Sequence, residues 1–212
     1  GNLTASITRG KEVFSFEYED SWLKSTNKFQ LDPKLQLFQG RYYPPDDAKN
    51  FGVFLDSSPD RWGEVLMMRR EYLLAKREKR PTRTLMPSDF LLGVYDENRM
   101  GGLRFKIADG SFLDNHERHA TPPWTSLREL EQASLALEEE GIEDNPRFPE
   151  WLGILLAPGS SLGGARPKAS VVAPDKSLWI AKFPSKDDHK DVGAWEIVVH
   201  GLAKNCGINV AQ

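Results

Sequence analysis

The chain has 212 residues, 39% hydrophobic and 28% charged, with a net charge of −3; this is a globular profile with room for one large domain or two modest ones around a sizeable core. The slight acidity argues against nucleic-acid or membrane binding over the whole surface, and no apolar run approaches the roughly 20 residues of a membrane span. A single cysteine, Cys206, excludes an intramolecular disulfide and fits a reducing compartment, so the expected location is cytoplasmic.

The alternation in Val13-Phe-Ser-Phe-Glu-Tyr18 predicts a half-buried strand, followed by a turn or short helix at Asp20-Ser-Trp-Leu. Leu35-Gln-Leu-Phe38 reads as a second short strand, closed off by Gly40 and Pro44-Pro45. Ser58-Pro59 has the form of an N-cap and first-turn proline, and Trp62, Val65, Leu66, Met68 and Leu73 supply an apolar face behind it. Asp60 is expected to complement the dipole of that helix. Asp89-Phe-Leu-Leu opens another helical or buried segment, and Gly101–Ile107 returns to strand alternation. The polar stretch 115–123 reads as a linker.

Beyond it, Ser126-Leu-Arg-Glu129 has capping-box spacing, and Leu127, Leu130, Ala133 and Leu137 continue an apolar stripe. Trp151–Leu156 is an apolar segment leading into the loop Gly159-Ser-Ser-Leu-Gly-Gly-Ala-Arg-Pro-Lys168. Two strands are expected next, Ala169–Ala173 and Ser177–Phe183, joined by a turn at Pro174-Asp175-Lys176. The polar turn Ser185–Asp191 precedes a last helix with Val192, Trp195, Val199 and Leu202 facing inward and Gly207 as its C′ residue. Cys206 falls in this apolar register and is expected to be buried. Asn209–Gln212 looks like the start of another strand. The expected fold class is α+β: a β-rich subdomain over 1–115, then a helical connector and a loop-and-hairpin portion over 116–212.

A loop of small residues before a strand leaves backbone N–H groups open to an anion, and a lysine one strand later supplies charge for a phosphate. Gly159 and Gly164 have P-loop spacing, but Ala165-Arg166 stands where Lys-Ser/Thr must follow; the kinase Gly-x-Gly-x-x-Gly does not occur either. Lys182 shares a strand face with Leu178 and Ile180, where an unpartnered ammonium is costly to bury. Glu196, the one acidic residue of the following helix, is its natural partner.

Ser160-Ser-Leu-Gly-Gly-Ala-Arg-Pro-Lys-Ala, Leu178-Trp-Ile-Ala-Lys-Phe-Pro-Ser185, Trp195-Glu196 and Leu202-Ala-Lys-Asn-Cys-Gly-Ile208 together resemble the HipA family of toxin kinases. Phe54-Leu-Asp-Ser-Ser-Pro-Asp-Arg-Trp-Gly63 and Asp96-Glu-Asn-Arg-Met-Gly-Gly-Leu-Arg-Phe105 are similar to that family's N-terminal portion, so the likeness spans nearly the whole chain. It implies that 116–212 holds a helical connector and a kinase-like N-lobe, in a serine/threonine protein kinase that transfers the γ-phosphoryl group of ATP, with Mg2+, and acts as the toxin of a toxin–antitoxin pair. The partners implied are a HipB-like DNA-binding antitoxin, through which alone DNA is reached, and a protein substrate in translation. No membrane partner is implied. Carried over by position, Gly163, Gly164, Ala165, Arg166, Lys168 and Lys182 would bind ATP, with Glu196 orienting Lys182. Ser161, or its neighbour Ser160, would be the autophosphorylated serine, and its phosphate would repel the nucleotide phosphates. No His-Arg-Asp or Asp-Phe-Gly segment occurs in these residues. The expectation is therefore an N-terminal portion without the phosphate-transferring residues, inactive alone.

Other readings stay open beside this one. The chain could be a non-catalytic module engaging an antitoxin or regulatory protein. The run Arg69–Arg83 carries seven basic residues against Glu71 and Glu78 and could touch nucleic acid, though a solvated helix face is the simpler reading. Its acidic counterpart, Glu129–Asp144, holds seven carboxylates and could face it. His116 and His119 have metal-compatible spacing but sit in a polar linker.

Overall fold

A computed structural model describes residues 1–94, 96, 99, 101–107, 110, 112–113, 126–159 and 164–210. The fold is α+β. It begins with a hairpin of β1 (Asn2–Thr8) and β2 (Lys11–Glu17), antiparallel from Asn2 opposite Glu17 to Thr8 opposite Lys11. The two turn residues, Arg9 and Gly10, have φ of 52° and 75°. Positive φ at both central positions matches the right-handed twist of the strands they join. β1 was not expected from sequence; its Leu3, Ala5 and Ile7 alternate too weakly beside small polar residues. β3 (Arg41–Tyr42) adds to the other edge of β2.

The expected strand at Leu35–Phe38 does not form. Tyrosine hydroxyls take its carbonyls instead: Tyr18 donates to Leu35 O at 2.9 Å, and Tyr42 to Gln36 O and Phe38 O at 2.9 and 3.1 Å. Leu35 is buried all the same, in a core with Phe16, Tyr18, Phe51, Phe54 and Leu91. Gly101–Ile107 is likewise no strand; it makes one isolated bridge, Lys106 to Phe112, while Leu103 and Phe105 pack against that core. Buried Arg99 ties this region together, donating to the carbonyls of Ser57, Leu91 and Val94.

After α1 (Asp20–Lys24) and α2 (Gly52–Asp56) comes the long helix α3 (Arg61–Glu78). Its N-cap is Asp60, not Ser58, whose hydroxyl donates back to Phe54 O at 2.9 Å. Glu71 of α3 is buried and accepts a fork from Arg80, at 2.5 and 3.1 Å, and the Arg83 backbone N–H at 3.0 Å. Arg83 forks in turn onto Asp89 in α4 (Pro87–Leu92).

The Arg80 guanidinium holds the Glu71 carboxyl at about 2, below its ordinary 4.5. A depressed folded-state value means that the contribution is complete above 4.5 and is lost as pH falls toward 2. The urea-unfolding free energy should therefore decline over that window, and Glu71→Gln should flatten the decline. An identical acid limb in the variant would count against this assignment.

A second core joins Trp62 and Leu66 of α3 to α5 (Leu127–Leu137), a 3-10 turn (Ile142–Asp144), α6 (Phe148–Gly159) and a two-stranded sheet. The helix of the expected capping box is α5, but Ser126 makes no capping hydrogen bond. Leu130, Ala133 and Leu137 are buried as the stripe predicts, and Leu127 is exposed. The basic and acidic runs do meet, through Arg69–Glu143 at 3.1 Å and Lys76–Asp144 at 3.4 Å.

β4 (Lys168–Val172) and β5 (Leu178–Lys182) pair antiparallel around the expected Pro174-Asp175-Lys176 turn. Asp191 caps α7 (Val192–Asn205), and Gly207, at φ 75°, ends it. The Gly207 and Ile208 N–H groups bond to Lys204 O and Ala203 O, closing the last turn.

The inward face expected for α7 is not there: Trp195 is 58% exposed and Ile197 75%, with Val199 and Leu202 also open. Among the described residues no other element packs extensively on this helix. Cys206, at its C-cap, is exposed rather than buried for the same reason. Asn209 and Val210 are not in a strand. Among the described residues no helix is long and apolar enough to cross a membrane.

Candidate nucleotide site

Antiparallel pairing sets Lys168, the first residue of β4, directly opposite Lys182, the last of β5. Like charges opposed across a ladder repel, so the chain must supply compensating charge or await an anion. It does part of this itself. Lys182 Nζ donates to Glu196 Oε2 at 2.8 Å, from the second turn of α7. Arg166 forks onto Asp188 at 2.7 and 2.5 Å. That fork raises the Arg166 guanidinium above its ordinary value and lowers the Asp188 carboxyl. Lys168 is buried, and desolvation, helped by the Lys182 and Arg166 charges, pushes its ammonium down; Asp60 and Glu196 oppose the shift.

Three cations therefore crowd the end of the hairpin that Gly164 and Ala165 lead into. Gly164 has φ +95°, a backbone conformation that favours glycine, and a Cβ there would push Lys168 Nζ aside. Ala165 is exposed and carries no bulk that would block an approaching anion. Pro167 O accepts from Phe183 N at 2.9 Å, locking the loop's exit onto the end of β5.

The turn 185–191 is anchored by α5: Ser185 Oγ donates to Glu138 Oε1 at 2.9 Å and Lys186 N to Glu138 Oε2 at 2.7 Å. This fixes Asp188, and through it Arg166. From the other side, the Gly164 N–H donates to Asp60 and its carbonyl accepts from Trp62 N at 3.2 Å.

Of the residues expected at an ATP site, Gly164, Ala165, Arg166, Lys168, Lys182 and Glu196 lie together at this end. Gly163, Ser160 and Ser161 lie outside the described residues, as do His116, His119 and the linker 115–123. Sequence reasoning missed Asp188 and Glu138 and assigned Asp60 only to the helix dipole. The acidic character of 185–191 signalled a partner for Arg166, but spacing alone could not single out Asp188 from Asp187 or Asp191. Among the described residues no His, Cys, Asp or Glu cluster has the form of a metal site. The basic run is largely spent within the fold: Arg69, Lys76, Arg80 and Arg83 all have carboxylate partners. That weakens the nucleic-acid reading.

A family model described as the HipA N-terminal domain matches residues 1–106, and one described as the HipA-like C-terminal domain matches 160–212. No curated protein and no solved structure matches the chain. The chain belongs to the HipA family, known as a family of kinases.

Proposed function

We propose that this HipA-family chain carries the ATP-phosphate site of a serine/threonine protein kinase that acts as a toxin in a toxin–antitoxin pair. One observation carries the reading: Lys168 and Lys182 are opposed across the ladder with Arg166 beside them, at the end of the hairpin that Gly164 and Ala165 lead into. These cations, each beside a carboxylate of the chain, are placed to engage a polyphosphate. ATP bound with Mg2+ would supply the γ-phosphoryl group.

The chain's own residues have separable parts in this. Lys182 binds the phosphates, and Glu196 sets its direction. Arg166, fixed by Asp188, presents charge at the loop's exit, and Lys168 supports Gly164 from beneath. Gly163, Gly164 and Ala165 let the backbone come close. Ser161, or Ser160, is the site of an inactivating phosphate, whose added negative charge competes with that of the nucleotide. The partners in this reading are a HipB-like DNA-binding antitoxin and a protein substrate in translation, all in the cytoplasm.

The test is transfer from γ-labelled ATP by the gene's full product. Magnesium-dependent labelling of protein serine or threonine, with growth arrest on expression, is the expected result. No labelling under any condition would reduce the chain to a binding module.

A further inference from the structure

Asp60 belongs to the region matched by the N-terminal family domain, yet its side chain reaches the loop of the C-terminal one. Its two carboxylate oxygens have different tasks. Oδ1 accepts from Arg61 N at 2.6 Å and caps α3; Oδ2 accepts from the Gly164 N–H. Two residues on, the Trp62 backbone N–H, one of the free donors of the helix's first turn, takes Gly164 O at 3.2 Å. The Trp62 indole Nε1 donates to Lys168 O at 3.1 Å. Both polar groups of Gly164 are thus held by the start of α3, and the next strand's first carbonyl is held with them.

We propose that Asp60 is a positioning residue for nucleotide binding: its second oxygen holds Gly164, and so fixes the conformation in which the loop receives phosphate. This rests on the nucleotide reading above. The struts run from one matched domain to the other, so the state of the N-terminal domain is coupled to the loop through α3, an 18-residue helix anchored in the second core.

The sign of the effect separates this from simple electrostatics. Asp60 is an anion beside Lys168. If it acted only through charge, removing the charge would strengthen binding of an anionic nucleotide. If it acts by holding Gly164, the same change weakens binding. Asp60→Ser and Asp60→Asn each keep one good capping oxygen for α3 but lose the second acceptor. Both should therefore fold.

The experiment is calorimetric titration of ATP with magnesium into the gene's full product, its Asp60→Ser and Asp60→Asn variants, and Lys182→Ala, with amide exchange followed at Gly164. Expected are an affinity about fivefold weaker in both Asp60 variants and an exchange rate at Gly164 about tenfold faster, at an unchanged melting temperature. Unchanged or tighter binding in the Asp60 variants, while Lys182→Ala binds weakly, overturns the positioning role and leaves the nucleotide reading standing. Absence of binding in the unmutated protein overturns both.

Discussion

Lys182→Ala in the gene's full product is expected to reduce phosphoryl transfer by about 100-fold or more and to end growth arrest. The size follows from removing one preorganised charge from a developing phosphoryl transition state. Geometry makes the change a clean one. Lys182 is half-exposed at the end of β5 and pairs with the equally exposed Glu196 at 2.8 Å, so truncating it leaves no buried charge behind. The hairpin should gain slightly, since the repulsion across from Lys168 is relieved. Lost activity with undiminished folding is thus the signature. Lys182→Arg keeps the charge but changes its reach and geometry, and it should recover only part of the rate. Growth arrest that survives Lys182→Ala would remove Lys182 from the site.

Trp62→Ala should be the most damaging change to the fold. The indole is 5% exposed and packs in the core that joins α3 to α5, α6 and the β4–β5 sheet. Its loss opens a large cavity at that junction, and such truncations cost about 3–5 kcal/mol. The missing indole N–H also leaves Lys168 O without that donor. Trp62→Phe keeps most of the apolar volume and should cost far less, about 1–2 kcal/mol for the hydrogen bond and the shape change. Urea denaturation of the three proteins checks the ranking. Equal stability of the alanine variant and the unmutated protein would show that the two halves do not depend on this residue.

Much of the C-terminal arrangement was legible in sequence because it is local. Alternation over Ser177–Phe183, a proline-aspartate turn and the glycine loop specify a hairpin, and the hairpin register then opposes Lys168 to Lys182. Glu196 was readable because it is the single acidic residue of α7. What escaped depends on contacts distant in the chain. Asp60 and Gly164 are 104 positions apart, and nothing in either segment announces the other. Leu35–Phe38 carries strand-like residues, yet Tyr18 and Tyr42 claim its carbonyls from outside. The apolar pattern of α7 predicted an inward face, and none of its residues is buried: periodicity tells which residues share a side, not whether anything covers that side. Cys206 was misjudged with it.

The central claim is that Lys182 serves a bound nucleotide's phosphates. The most direct measurement is the dissociation constant for ATP with magnesium in the gene's full product against its Lys182→Ala variant. Saturable binding that weakens about tenfold or more in the variant is predicted, as expected for a charged phosphate contact. Equal affinity in the two proteins, or no binding in either, would contradict it.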